Sequence, residues 1–216
     1  MLRLAVSWLV LRSLSALAAD SLFSQSLDFS FGGASGATKV TASWSPLLTL
    51  LDDRLVLGLG GRLEGYFLGD GLSFGNADSS LVTPGANVFA LNAFVQARVR
   101  LVAGLQLGAN IDVIGYGVGN TLTGEYSSGQ PPTTGPVSAS ISHFNLLELG
   151  SGDRGQLDSE FFAAYEFEDW GIRAVGIRAG FTHFANEFTT DQPQQGGRSR
   201  FRHSFSGGFA AIYFRF

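Results

Sequence analysis

The stretch Leu105-Gln106-Leu107-Gly108-Ala109-Asn110-Ile111-Asp112-Val113 alternates without a break. Its odd positions are apolar, and its even positions are polar or glycine. Successive side chains of an extended strand point to opposite faces, so this period of two predicts a strand with one apolar and one polar face. Other segments repeat the pattern. From Arg54 to Phe67, Leu55, Leu57, Leu59, Leu63 and Phe67 share one face, with Arg62, Glu64 and Tyr66 on the other. Val88 to Leu101 sets Phe89, Leu91, Val95 and Val99 against Asn92, Gln96, Arg98 and Arg100. Leu157 to Glu168 sets Phe161, Ala163, Tyr165 and Phe167 against Asp158, Glu160, Glu166 and Glu168.

These strands are about a dozen residues long, whereas five or six is usual in globular proteins. A tilted membrane-crossing strand takes roughly 9–11 residues. The 216 residues suffice for one domain or one barrel, with 45% hydrophobic and only 15% charged residues. No apolar run approaches the roughly 18–20 residues of a membrane helix. High apolarity without such a run leaves a soluble β-fold or a transmembrane β-barrel, because only helices and closed barrels satisfy their backbone within a bilayer. Periodicity by itself does not orient the strands.

Loop lengths supply the orientation. Links near 51–53, 100–103 and 168–171 are short, whereas 69–87, 119–155 and 187–200 are long and rich in Gly, Ser, Thr, Pro and Gln. Short turns on one side with long loops on the other is the outer-membrane pattern. The expected fold is an eight-stranded antiparallel up-and-down transmembrane β-barrel with short periplasmic turns and long extracellular loops. Its strands are expected at about 25–33, 38–50, 54–68, 88–100, 104–118, 156–168, 172–186 and 201–216. An even number returns both termini to the periplasm. Ile141 to Leu149 is left within a long loop, since a ninth strand breaks that parity. Pro46 favours a bulge or strand end. Gly60-Gly61 and Gly207-Gly208 are expected to mark bends or bulges.

Residues 1–18 read as a secretory signal: Arg3, the apolar run from Leu4 to Leu11, and Ala16-Leu17-Ala18 as a cleavage site, with Arg12 interrupting the apolar core. Residues 19–216 then form the barrel domain. The net charge of −4 becomes about −6 once Arg3 and Arg12 are removed. No basic surface suits nucleic acid. With no cysteine there is no disulfide framework, thiolate metal site or cysteine nucleophile.

With its signal-like start, alternating strands, unequal loops and an end reading Ile212, Phe214 and Phe216, the chain resembles small bacterial outer-membrane β-barrels of the OmpA-barrel and OmpX-like kind. The segments Gly108 to Asp112 and Asp153 to Leu157 resemble parts of uncharacterised members. The resemblance implies that Phe216, Phe214 and Ile212 are read by the barrel-assembly machinery. It implies outer-membrane lipid as surroundings, a monomer and no cofactor.

Three sets of residues remain as candidates for function. The first is a lumen network of Arg62, Glu64, Arg98, Asp112, Glu160, Glu166 and Arg178, with Asp28, Lys39 and Arg202 on the same polar faces. The interior of an eight-stranded barrel is just wide enough for side chains to fill, and buried charges there must pair. The expected outcome is a salt-bridged plug, the alternative a narrow pore. The second is an aromatic girdle of Trp44, Tyr66, Tyr116, Trp170 and Tyr213, joined by Phe67 and Phe184, at the membrane interfaces. The third concerns His143, His183 and His203. No metal-binding spacing links them. A Ser-His-Glu arrangement of Ser204, His183 or His203, and Glu187 is conceivable for a lipid-modifying enzyme. However, Ser204 adjoins His203 in sequence and so points the other way, and no catalytic residue is assigned.

Overall fold

The computed structural model describes residues 22–216, apart from 53, 77–78, 103, 128–135, 149–152, 169–173 and 195–196. The expected signal segment and Trp170 lie outside the described residues. Among the described residues, thirteen strands form one antiparallel sheet: β1 (Phe23–Ala34), β2 (Ala37–Leu50), β3 (Leu55–Leu68), β4 (Leu72–Asn76), β5 (Ser79–Thr83), β6 (Ala86–Val102), β7 (Leu105–Gly119), β8 (Leu122–Ser127), β9 (Pro136–Ile141), β10 (Phe144–Leu146), β11 (Leu157–Glu168), β12 (Ala174–Gln194) and β13 (Arg198–Arg215).

Eight of these strands pair in a cycle. The ladder runs from β1 through β2, β3, β6, β7, β11, β12 and β13. It returns to β1 from Ser26↔Arg215 to Gly33↔Gly208. The Phe216 amide donates to the Gln25 carbonyl at 3.0 Å, and the Gln25 amide donates back at 2.9 Å, which carries the closing seam one residue further. The successions from β2 to β3, from β6 to β7 and from β11 to β12 all fall at one end of this cycle. At that short-turn end Leu51 and Asp52 adopt φ values of 55° and 51°, the left-handed region that a tight hairpin requires.

At the opposite end the expected long loops at 69–87 and 119–155 carry strands of their own. The strand β9 pairs with the upper part of β12, from Phe188↔Ile141 to Thr190↔Ala139, and the sheet continues outward through β8, β5 and β4. The expected loop at 187–200 is instead the extended hairpin of β12 and β13, paired as far as Gln194↔Arg198. Ile141 to Leu149, expected as loop, supplies the end of β9 and all of β10. Its placement follows from the length of β11. That strand starts only at Leu157, while β7 and β12 run beyond it, and their bare edges would otherwise expose unpaired backbone. The chain crosses this gap with the Ser142 amide donating to Glu187 O at 2.9 Å, Gly117 N to His143 O at 2.7 Å and Leu147 N to Val113 O at 2.8 Å.

The strands are polar inward and apolar outward. Ser24, Ser26, Asp28 and Ser30 of β1 are buried, while Phe29 and Phe31 are exposed, the latter by 65%. Large apolar residues lie exposed on every strand of the cycle, among them Trp44, Leu63, Leu91, Leu107, Phe161, Phe181 and Ile212. The buried apolar residues sit mainly toward the long-loop end, where Tyr66, Phe74, Leu81, Tyr126, Phe184, Phe188, Phe201 and Phe205 form one cluster.

Three expectations about local geometry need correction. Register runs unbroken past Gly60-Gly61 and past Gly207-Gly208, so neither pair is a bulge. The shifts fall between Ala93 and Phe94 and between Arg100 and Val102 of the β6–β7 ladder, and between Thr189 and Gln194 of β12. Phe201, Phe205, Phe209 and Tyr213 therefore share one inward phase, opposite to that of Phe214 and Ile212. Gly60 is instead a point of close approach, because a Cβ there would meet the Trp44 carbonyl, Ser45 and Phe94. Pro46 lies mid-strand, paired with Gln25, and the β2–β3 ladder skips from Trp44↔Gly61 to Leu47↔Gly58 around it. Its missing donor thus falls where no ladder bond is made.

Candidate functional site

The inward faces of the eight paired strands converge on a buried ionic network. Lys39, Arg62, Glu64, Asp112, Asp158 and Glu160 are each at most 3% exposed. Alternation places them there: Lys39 on β2, Arg62 and Glu64 on β3, Asp112 on β7 and Asp158 and Glu160 on β11 all fall on the polar face of their strands. Asp158 is the hub. Its carboxylate accepts from Lys39 Nζ, from Arg62 Nη1 at 2.8 Å and from Thr182 Oγ1 at 2.7 Å. Its amide donates to Asp112 Oδ2 at 2.9 Å.

The network spreads from that hub. Lys39 Nζ also donates to Glu160 Oε1 at 2.9 Å, and Arg62 Nη2 donates to Asn110 Oδ1 at 2.6 Å. Asn110 Nδ2 donates in turn to Glu160 Oε2 at 2.8 Å. Asn92 Nδ2 holds two carboxylates, Glu64 at 2.7 Å and Asp112 at 2.8 Å. Toward the short-turn end, Arg178 bridges Glu160 at 2.8 Å and Asp28 at 2.9 Å, while Arg98 lies 3.7 Å from Asp28. Lower still, Glu166 receives Arg100 at 3.3 Å, Gln106 at 3.2 Å and Arg215.

Aromatic rings line the cations on their other sides. Arg62 lies 4.6 Å from the centroid of Phe94, Arg98 5.0 Å from Tyr213, and Arg178 4.8 Å from Phe162. Charge over a ring face in a desolvated setting is attracted by about 2 kcal/mol or more. Above the network a polar collar follows. Asn145 Nδ2 donates to Asn92 Oδ1 at 2.8 Å, and the Gln156 amide donates to Asn145 Oδ1 at 2.9 Å. The aromatic cluster then fills the long-loop end, with Tyr66 stacked on Phe184 at 5.2 Å and Phe184 on Phe205 at 5.2 Å.

All seven residues of the expected lumen network, Arg62, Glu64, Arg98, Asp112, Glu160, Glu166 and Arg178, are buried on these inward faces. Lys39 and Asp28 join them. Arg202 does not, since it lies on the outward column of β13 with its Nη1 3.7 Å from Asp153. Asp158 was missing from the expected set although it shares the polar face of Glu160. Its role as hub depends on cross-barrel distances that one strand's alternation does not contain.

The aromatic girdle is partly displaced. Trp44 and Tyr116 are outward, 43% and 55% exposed, and Phe67 is outward as well. Tyr66, Phe184 and Tyr213 are fully buried and face inward, so they do not belong to a girdle. The inward register decides this: Tyr66 is in phase with Arg62 and Glu64, and Tyr213 pairs with Gly176, where a Cβ would strike its ring. Of the terminal segment, Ile212 is exposed and Phe216 lies at the limit of exposure.

The histidines do not assemble a hydrolytic group. His183 Nδ1 and Ser206 Oγ are 2.8 Å apart on the outer face. His203 Nδ1 donates to the Ser73 carbonyl and His143 Nδ1 to the Gly117 carbonyl, both at 2.8 Å. Glu187 is engaged by Arg200, at 2.7 Å, and Ser204 stands opposite Ala185. Among the described residues, no group of three or more His, Asp or Glu side chains is placed to hold a metal ion.

No protein-family model matches the chain, and no curated protein matches it. Among solved structures, the chain is similar to neisserial surface protein A, with a TM-score of 0.40 and 10% identity over 88% of this chain and 96% of that one. A second similarity is to OccK5 (OpdH) of Pseudomonas aeruginosa, with a TM-score of 0.14 and 8% identity over 90% and 96% of the two chains. Scores this low carry no argument about fold or function, which rest on the strand pairing and the side chains.

Proposed function

We propose that this chain is an eight-stranded outer-membrane β-barrel whose interior is closed by its own ion pairs, and whose role is structural or surface-interacting. The observation that carries the reading is the inversion of polarity. Below the long-loop end, Arg, Lys, Asp and Glu lie inside while large Phe, Leu, Ile and Trp side chains lie outside around the cycle. In water such an exterior is an aggregation hazard; in lipid it is the favourable face. Outer-membrane lipid is then the immediate surroundings, and the strands built from the long loops stand outside the bilayer as the surface for partners. The outward Ile212, Phe214 and Phe216 are offered to the barrel-assembly machinery, and the protein acts as a monomer.

Closure of the interior is favoured over a solute path by the buried hub. A solute passing through must separate Asp158 from Lys39 and Arg62, and each uncompensated buried charge costs about 3–5 kcal/mol. The test has two parts. Carbonate extraction of cell envelopes should leave the protein in the membrane fraction, and its release would sink the membrane reading. Purified protein in planar bilayers should give no stable conductance steps, and steady open channels would replace the closed interior with a pore.

A further inference from the structure

Apart from the cations of the interior, the arginines described at the long-loop end are Arg154, Arg198, Arg200 and Arg202, and all lie around the upper part of one strand, β13. Outward positions on that strand form a column that reads Arg198, Arg200, Arg202, Ser204, Ser206, Gly208, Ala210 and Ile212. The facing column of β12 pairs His183 with Ser206, Phe181 with Gly208 and Ala179 with Ala210. Polarity thus changes along a single face. Arginines stand at the top, an imidazole and hydroxyls lie below them, and an apolar surface follows.

The apolar part is recessed. Ala163, Ala179 and Ala210 pair across three strands in one row, and Phe31 closes the row on β1. Small side chains between larger neighbours make a groove of about 670 Å³, walled by Phe29, Phe31 and Ile212. Ser206 lies four residues and Arg202 eight residues above Ala210, about 13 and 26 Å along the strand. Strand tilt shortens those heights to roughly 10 and 20 Å. That is the spacing of an acyl chain beneath a headgroup.

Charge selects the headgroup. Arg200 is held by Glu187 in a two-pronged pair, with Nε at 3.1 Å and Nη2 at 2.7 Å. Arg154 has the Glu148 carboxylate at 3.7 Å and Arg202 the Asp153 carboxylate at 3.7 Å, both too long for a good charge-assisted bond, and Arg202 spends only Nη1, on the Asp153 carbonyl at 3.1 Å. Arg198 has no carboxylate partner among the described residues; its guanidinium lies 5.3 Å from the Phe201 ring centroid and its Nε donates to the Arg200 carbonyl at 3.1 Å, which leaves its two Nη groups. Two arginines therefore retain donors for an anion, and the forked guanidinium suits a phosphate.

We propose that the β11–β13 face binds one long-chain lipid with an anionic phosphate headgroup, its chain in the alanine-floored groove and its phosphate at Arg198 and Arg202. His183 and Ser206 contact the region between the two. An acidic protein segment would meet the arginines but leave the groove unused, so the lipid is the occupant that accounts for both. The inference rests on the membrane reading above and specifies one site within it.

The test uses protein refolded into zwitterionic detergent, with native mass spectrometry reading retained lipid. Phosphatidylglycerol is compared with phosphatidylcholine of the same chains, and inorganic phosphate is added as competitor. Wild-type protein should retain a single phosphatidylglycerol about tenfold over phosphatidylcholine. Arg198→Gln with Arg202→Gln should bring the two lipids level, whereas Arg54→Gln at the short-turn end should leave the preference intact. Ala210→Phe, at a lipid-facing position where folding tolerates bulk, should lower retention of both lipids. Equal retention of the two lipids by wild-type protein overturns the site, as does a preference that survives the double arginine change. Displacement of the lipid by millimolar phosphate also overturns it, because the groove would then contribute nothing. Insertion into vesicles is scored in parallel. Failure to insert removes the membrane reading itself, whereas insertion without lipid preference removes only this site.

Discussion

Arg62 Nη1 lies 2.8 Å from the Asp158 carboxylate although 96 residues separate them, and both side chains are fully buried. The pair joins β3 to β11 across the interior, between strands that are not neighbours in the cycle. Removing Asp158 leaves Arg62 with carboxylates only at 3.4 Å (Asp112) and beyond, and removing Arg62 leaves Asp158 with Lys39 as its one cation, so either change unbalances a buried, desolvated network.

For that reason Asp158→Asn should destabilise the folded barrel by about 3–5 kcal/mol. Arg62→Met alone should cost a similar amount. The double variant should cost less than the sum, with a coupling of roughly 1–3 kcal/mol, since the two side chains are in contact. Urea unfolding in lipid vesicles, followed by tryptophan fluorescence, gives each midpoint. Strict additivity would show that the pair is not coupled.

Gly176 should tolerate no side chain. A Cβ at that position would strike the ring of Tyr213, which occupies the space beside it inside the barrel. Gly176→Val is expected to lower stability by about 1–3 kcal/mol through overpacking. Adding Tyr213→Ala should then recover part of the loss. No recovery would place the fault in the backbone and not in the ring.

Trp44 should contact acyl chains. It is outward and 43% exposed, with its indole Nε1 donating to Gln25 Oε1 at 3.0 Å. In a Trp170→Phe variant carrying residues 19–216, lipids brominated on the acyl chain should quench its emission, whereas a water-soluble quencher should have little effect. The reverse ranking would mean that this face meets water.

The outward aromatics of the last strand should matter more for assembly than for stability. Phe214→Ser with Phe216→Ser leaves the backbone pairs to Gln25 and Leu27 in place. In cells this variant should reach the membrane in markedly lower amount, while protein refolded in vitro should lose only about 1–2 kcal/mol of lipid burial per ring at these half-exposed sites. Equal losses in the two assays would count against a recognition role.

Alternation made the eight paired segments legible, and with them the inward charges. An inward arginine on a dozen-residue strand leaves few other solutions once loop lengths have suggested an orientation. The strands β4, β5, β8, β9 and β10 were not legible, because they have three to six residues and are rich in Ser, Thr and Gly, too short for a period to declare itself. The pairing of β9 and β10 is decided by the edges that β11 leaves bare, and β8, β5 and β4 add outward from β9. Tyr66 and Tyr213 were misplaced for a different reason. Position near a strand end suggested an interface, yet their phase with Arg62 and with Phe209 already set them inside. Asp158 shows the remaining gap, since a hub is a property of several strands at once.

The distribution of the buried charges along the chain has a consequence for how the barrel forms. The strands up to β6 carry Lys39, Arg62, Arg98 and Arg100 against Asp28 and Glu64, whereas those from β7 onward carry Asp112, Asp158, Glu160 and Glu166 against Arg178 and Arg215. A half-built wall therefore presents surplus positive charge on its concave side, and the hairpins still to come carry the matching negative charge. Each unfinished intermediate is electrically incomplete and is drawn toward the missing half. Neutrality, like the ladder itself, comes only with the whole.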